Sequence, residues 1–155
     1  MPVSVRLEKA AECKAKGNEL LSKSPKEAVD AYRKGIELLE STWDASQEEG
    51  PKVKALKLVL LSNICAGLIK LSQWDEVIKY GEEGLKYEPE NVKLLYRVGR
   101  AYRSLSHWIK ALDALEHAQE LNPEDETIKG EIYNVTIAQR MEYKKEQETY
   151  RKMFK

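Results

Sequence analysis

The sequence has few of the residues that build metal sites and disulfide frameworks. It contains two cysteines and two histidines among its 155 residues. Cys13 and Cys65 fall on predicted helices beside small packing residues, so burial as small apolar groups is favoured over a disulfide, and two cysteines are too few for a zinc site. His107 and His117 lack the i, i+4 spacing of a helical ligand pair. We therefore expect no metal and no cofactor.

The sequence also has no excess of charge of either sign. Its 26 basic and 26 acidic side chains cancel, so no global field attracts nucleic acid or an anionic membrane. No apolar run reaches the roughly 18 residues that a membrane span requires, and residues 1–6 lack the apolar core of a signal peptide. We expect a cytoplasmic protein, or a cytosol-facing one if a longer parent protein is anchored in a membrane.

A recognisable catalytic or phosphate-binding motif is missing as well. Gly81 and Gly84 fall inside a helical pattern, and no Gly-Lys-Ser/Thr follows them, so they do not form a phosphate-binding loop. No pair of carboxylates stands out in an apolar setting. The sequence therefore predicts a binding module and not an enzyme.

A 34-residue repeat is the main feature that the sequence does contain. An aromatic residue, a small or branched apolar residue, a tiny residue and a proline recur at this interval: Trp74, Val77, Gly84 and Pro89, then Trp108, Ala111, Ala118 and Pro123. A fixed period of this length is typical of tetratricopeptide repeats, which are stacked helical hairpins.

The repeat extends toward the N-terminus with a longer spacing. The offset from Ala28 to Val77 exceeds one period by about half a repeat, and Tyr32 and Gly35 keep the same offset from their counterparts. The excess falls in a segment around residues 42–53 that is rich in turn formers and acidic residues. We therefore expect three hairpins with an extended first junction.

The sequence predicts a single all-α domain over residues 1–155. This domain contains three tetratricopeptide hairpins and a long C-terminal capping helix. Its seven helices are expected to form a right-handed solenoid. We place repeat one at about 7–41, the junction at about 42–53, repeat two at about 54–89, repeat three at about 91–123 and the capping helix at about 124–154. The cap is indicated by a recurring apolar face, which would cover the open end of the stack: Ile128, Ile132, Val135 and Ala138.

The second helix of repeat one lacks the aromatic residue that begins the equivalent later helices. Its start is predicted instead from Ser24 as the N-cap, Pro25 at the first helical position and Glu27 completing a capping box. A helix is therefore expected to begin there.

The last turns of the capping helix, residues 144–155, are highly charged and are expected to project into solvent. A basic amphipathic helix end can bind calmodulin-like partners. Here acids are interspersed among the bases and few apolar anchors remain, which favours a solvated helix end over a calmodulin site.

Five polar side chains share the leading helices of the hairpins. Lys14 and Asn18 are one turn apart in repeat one, and Lys93 and Arg97 are one turn apart in repeat three. Asn63, in repeat two, precedes Arg97 by one full repeat period and so occupies the equivalent position. Because leading helices line the concave surface of such a solenoid, these residues would bring three cations and two amides to one part of the groove.

This set resembles the dicarboxylate clamp of tetratricopeptide co-chaperones, which hold the C-terminal Glu-Glu-Val-Asp of heat-shock protein 90 and heat-shock protein 70. The resemblance implies that the tail is bound by Lys14, Asn18, Asn63, Lys93 and Arg97. Lys70, seven residues after Asn63 on the same predicted face, is a secondary candidate for contact with an upstream acidic residue of the ligand.

Other segments add to the resemblance. The long first junction and the closing Tyr150-Arg151-Lys152-Met153-Phe154 are similar to the C-terminal halves of large FKBP-type immunophilins. Residues 91–97 and 123–127 are similar also to chaperone-docking proteins of plant organelle membranes. The resemblance leaves open which of the two heat-shock proteins is preferred.

A solvated helix face could also carry three cations, but it does not explain the asparagines. Asn18 and Asn63 are predicted to lie in mid-helix, where asparagine is a mediocre helix former. Two alternatives remain. The chain could be a generic scaffold for another acidic peptide, or the non-catalytic fragment of an FKBP-type peptidyl-prolyl isomerase whose catalytic domain lies outside it.

Overall fold

A computed structural model describes residues 1–154 of the chain. Within them the backbone forms seven α-helices and no strand. The helices are α1 (Val3–Leu20), α2 (Pro25–Leu38), α3 (Glu49–Lys70), α4 (Trp74–Tyr87), α5 (Val92–Ser104), α6 (Trp108–Leu121) and α7 (Glu126–Met153). The predicted all-α architecture is confirmed, and Lys155, the last residue of the predicted domain, lies outside the described residues.

The helices pack as hairpins that stack in sequence order. α1 packs on α2, α3 on α4 and α5 on α6, while the leading helices α1, α3 and α5 also contact one another in turn, and α5 contacts α7. Within residues 1–154 the backbones of α2, α4 and α6 make no comparable approach to one another. The leading helices therefore form the inner, concave layer of the solenoid.

Close approach within the hairpins depends on glycine. A Cβ atom added at Gly17 would lie 2.6 Å from Cδ1 of the Tyr32 ring. A Cβ atom at Gly99 would lie 2.6 Å from Cγ of Leu115. Side chains at these two positions would collide with the partner helix, so the hairpins can close this tightly only because both residues are glycine.

The apolar core runs along the whole stack and is closed by α7. Tyr32 and Ile64 are fully buried in the first two hairpins. At the far end Val135 of α7 packs in the cluster around Leu115, and Ile128 packs against the start of α5. The predicted capping role of the final helix is thereby confirmed.

The junction between the first two hairpins is shorter than expected. α3 begins at Glu49, inside the 42–53 segment that the sequence predicted as junction. Ser46 and Glu49 form a reciprocal capping box, in which each backbone N–H donates to the other residue's side-chain oxygen at 3.1 Å. This pair satisfies orphan backbone donors and so lets the helix begin earlier.

The capping box expected at the start of α2 does not form. Ser24 is the N-cap and Pro25 the first helical residue, as predicted, but the Ser24 side chain accepts no hydrogen bond from the helix. The Ser24 carbonyl instead accepts from the Ala28 N–H at 3.0 Å. The fixed φ of Pro25 preorganises the first turn without the side-chain cap.

The distal part of α7 projects into solvent, as predicted. Residues 140–154 are exposed throughout, including Met141, Tyr150 and Phe154. The indole N–H of Trp108 donates to Glu142 Oε2 at 2.9 Å, which ties α6 to the middle of α7. None of the described helices is both long and apolar enough to cross a membrane.

Candidate functional site

The five predicted site residues all lie on the leading helices. Lys14 and Asn18 are on α1, Asn63 is on α3, and Lys93 and Arg97 are on α5. Asn18 and Lys93 are exposed, and the other three are half-buried. Because α1 contacts α3 and α3 contacts α5, the five residues lie on neighbouring helices of the concave layer.

The two asparagines are in direct contact. The Asn63 amide nitrogen Nδ2 donates to Asn18 Oδ1 at 3.2 Å, and the Tyr32 hydroxyl donates to the same oxygen at 2.6 Å. A carbonyl oxygen that accepts two hydrogen bonds fixes the orientation of its amide. The Nδ2 group of Asn18 is therefore the side that remains available to donate to a ligand.

Tyr32 was used in the sequence only as a repeat marker, and its link to the site was missed. Its side chain is fully buried, and this burial raises the pKa of the hydroxyl. The hydroxyl is therefore a neutral donor at physiological pH. The hydrogen bond from Tyr32 to Asn18 depends on the side-chain geometry of the folded hairpin, so no pattern in the sequence predicts it.

Arg97 is anchored from the side of α3. Its Nη1 donates to the Ser62 carbonyl at 2.6 Å and to the Ser62 hydroxyl at 2.8 Å. Burial lowers the pKa of the guanidinium, which nevertheless stays charged at neutral pH because arginine titrates far above that range. Within residues 1–154 Arg97 has no carboxylate partner, and its Nε and Nη2 groups form no hydrogen bond.

The two lysines of the set are also uncompensated. Lys14 and Lys93 form no salt bridge with the described residues, a property that they share with most lysines in that part of the chain. Three cations without counter-ions beside two amide groups form an arrangement suited to carboxylate ligands, because ionised acceptors make strong hydrogen bonds with such donors.

Lys70 is not brought into the same cluster. It is exposed at the last residue of α3, about 10 Å along the helix axis from Asn63. No hydrogen bond or salt bridge joins it to the five residues in the described part of the chain. It could meet only a ligand atom some distance from the cluster.

The cysteines have the packing role predicted for them. Both are free, and Cys65 is fully buried while Cys13 is half-buried. Burial raises the pKa of the Cys65 thiol to about 12, and its Sγ lies 3.6 Å from the Val77 carbonyl oxygen, to which it donates. Cys65 is therefore a neutral packing group behind the concave surface.

No known protein-family profile matches the chain. The chain is 36% identical over 122 residues to outer envelope protein 61 of Arabidopsis thaliana, a match that covers 79% of this chain and 21% of that protein. It spans less than half the length of the curated relatives it matches.

Many solved structures share the fold, among them two tetratricopeptide domains. The C-terminal TPR-containing domain of a Plasmodium falciparum FK506-binding protein gives a TM-score of 0.88 at 23% identity, covering 93% of this chain and 97% of that domain. The first TPR domain of Spaghetti (RPAP3), solved with the HSP90 peptide SRMEEVD, gives a TM-score of 0.71 at 21% identity, with 86% and 94% covered. Together with the helical hairpins and their 34-residue period, these similarities show that the chain has the tetratricopeptide repeat fold.

Proposed function

We propose that this domain is a co-chaperone adaptor that binds the acidic C-terminal tail of heat-shock protein 90 or heat-shock protein 70. The binding residues are Lys14, Asn18, Asn63, Lys93 and Arg97. One observation carries the proposal: Asn63 and Tyr32 both donate to the side-chain oxygen of Asn18, and the helices that bear these amides also bear Lys14 or pack against the helix that bears Lys93 and Arg97. A C-terminal carboxylate would supply the missing negative charge.

The chemistry of the tail fits this set of donors. A C-terminal aspartate carries two carboxylates, one on the main chain and one on the side chain. Lys93 and Arg97 offer charged donors one turn apart on α5, and Lys14 offers a third from α1. The amides of Asn18 and Asn63 add donor capacity without adding repulsion among the bases.

The expected affinity is modest. Each charged hydrogen bond contributes roughly 1.5–3 kcal/mol before solvent screening, and ordering a short flexible tail opposes binding. Reversible docking of this strength suits an adaptor. The RPAP3 domain, which was solved with an HSP90 peptide, has the same fold, and this supports such a tail as a ligand that the architecture can accommodate.

The location follows from the proposed partner. The domain would bind the tails of heat-shock protein 90 and heat-shock protein 70 in the cytosol. It would do so either as a free protein or as the cytosol-facing part of an anchored protein. The similarity to an outer envelope protein supports the second arrangement. Any isomerase activity of a longer parent protein would lie outside this chain.

Calorimetric titration with Met-Glu-Glu-Val-Asp and Ile-Glu-Glu-Val-Asp peptides tests the proposal. Each peptide is used with a free and with an amidated C-terminus. We expect the free peptides to bind and the amidated ones to bind at least about tenfold more weakly, because amidation removes one of the two carboxylates. Equal binding of both forms would exclude recognition of the chain end and favour a generic scaffold for internal acidic peptides.

A further inference from the structure

Among the described residues, five arginines are half-buried, and three of these have a carboxylate partner. The partners lie 2.7–3.1 Å away in the pairs Arg6–Asp44, Arg33–Glu76 and Arg103–Glu131. Within residues 1–154 the other two, Arg97 and Arg100, have none. A partly desolvated cation is unfavourable without a counter-ion, so a position that leaves one unpaired is a candidate for binding an anion.

Arg100 lies on the same side of α5 as Arg97. The two residues are three apart in one helix, so their side chains are neighbours on its surface. Arg100 also lies one repeat period after Ala66 of α3, just as Arg97 lies one period after Asn63. Ala66 is a small residue, so the equivalent position on α3 carries no long side chain.

The Arg100 side chain is held by an aromatic ring and not by an acid. Its guanidinium carbon lies 5.9 Å from the centroid of the Trp74 ring, within the range of a cation–π interaction. Its Nε atom is buried and has no hydrogen-bond partner among the described residues. Stacking on Trp74 orients the guanidinium without neutralising it, which leaves its charge for a ligand.

We propose that Arg100, oriented by Trp74, is a second carboxylate-binding position for an acidic side chain upstream of the ligand's C-terminus. This inference rests on the proposed function of the clamp. Arg100 is displaced from Arg97 by about 4.5 Å along the helix axis. In an extended peptide, side chains two residues apart point to the same face and are about 6.6 Å apart. We therefore assign to Arg100 the acidic residue two before the C-terminal aspartate of the ligand.

Titration with two peptides that differ at that residue tests the inference. Met-Glu-Glu-Val-Asp carries the acid, and Met-Glu-Gln-Val-Asp replaces it by the neutral isostere. We expect Arg100→Met, which keeps the apolar contact with Trp74 but removes the charge, to weaken binding of the first peptide about tenfold. It should leave binding of the second unchanged, because the interaction that Arg100 makes is absent there. Arg100→Lys should restore part of the loss.

Arg140→Ala is the matched control, because Arg140 is exposed on α7 and has no salt-bridge partner among the described residues. No loss with either peptide, or an equal loss with both, would overturn the assignment of Arg100. Arg97→Ala in the same titration separates this result from failure of the clamp. If Arg97→Ala abolishes binding while Arg100→Met has no effect, only the second position is wrong; if Arg97→Ala has no effect, the clamp itself is wrong.

Discussion

The buried hydroxyl of Tyr32 donates a hydrogen bond of 2.6 Å to the side-chain oxygen of Asn18 at the concave surface. Asn63 donates to the same oxygen at 3.2 Å. Packing of the first hairpin and orientation of a candidate ligand donor are thus linked through one residue. A donor that is already oriented loses less conformational freedom when a ligand binds.

Replacing Tyr32 by phenylalanine tests this link. We expect peptide affinity to fall about 3- to 10-fold, because Asn18 would no longer be held with its Nδ2 group toward the ligand. The free energy of unfolding should fall by only about 1 kcal/mol, since the ring remains packed. Calorimetric titration and urea denaturation measure the two effects, with Tyr133→Phe on the exposed face of α7 as the control. Unchanged affinity in a folded variant would contradict the orienting role.

The glycines give a test of the hairpin geometry. We expect Gly17→Ala to destabilise the domain by roughly 1–3 kcal/mol, because the new Cβ would overlap the Tyr32 ring. Gly130, inside α7, has no heavy atom within 4 Å of an added Cβ, so Gly130→Ala should stabilise by up to about 1 kcal/mol through helix propensity. Urea denaturation measures the free energy of unfolding of both variants. A Gly17→Ala variant as stable as the parent, or more stable, would mean that the close approach at Gly17 is wrong.

Truncation tests the capping role of α7. Ending the chain after Pro123 removes Ile128 and Val135 from the core and should lower the melting temperature markedly. Ending it after Tyr143 removes only exposed turns and keeps the bond between Trp108 and Glu142, so the melting temperature should barely change. Thermal unfolding followed by circular dichroism compares the two. An unchanged curve for the shorter chain would show that α7 is not a cap.

The thiols should differ in reactivity. Burial raises the pKa of Cys65 from 9.0 to about 12, so its thiolate, which is the reactive form, is scarce at mildly alkaline pH and is also shielded. We expect a thiol reagent to modify at most Cys13 in the native domain and both cysteines in urea, as counted by mass spectrometry. The neutral thiol of Cys65 is favoured by its burial, so its pKa is higher in the folded chain than in the unfolded chain. The stability that this burial contributes is therefore lost as pH rises from 9.0 toward about 12. Rapid native labelling of Cys65 would contradict its burial.

The fold could be predicted from the sequence because the sequence repeats with a fixed period. Trp74 and Trp108 begin α4 and α6, one period apart, because each repeat is one rigid unit that stacks on its neighbour. The same period relates Asn63 to Arg97 in the sequence. The repeat period does not predict individual side-chain hydrogen bonds, such as those from Tyr32 to Asn18 and from Arg97 to Ser62.

Local signals were less reliable than the period. The Ser-x-x-Glu spacing occurs at both 24–27 and 46–49, and only the second forms a capping box. At the first, Pro25 already fixes the chain entry, so the side-chain cap is not needed. Arg6 donates hydrogen bonds to Asp44 and to the Glu40 and Ser41 carbonyls. These partners are distant from Arg6 in the sequence, so only the folded junction brings them within reach.

Peptide titration of the Arg97→Ala and Lys93→Ala variants tests the central claim most directly. With the free Met-Glu-Glu-Val-Asp peptide, we expect Arg97→Ala to cost on the order of 2–5 kcal/mol of binding, because Arg97 is half-buried. The loss for Lys93→Ala should be smaller, because Lys93 is exposed and its charge is screened by solvent and salt. Circular dichroism should show both variants folded, and Arg140→Ala should bind like the parent. If both variants stay folded and bind the peptide as tightly as the parent, the carboxylate clamp is wrong.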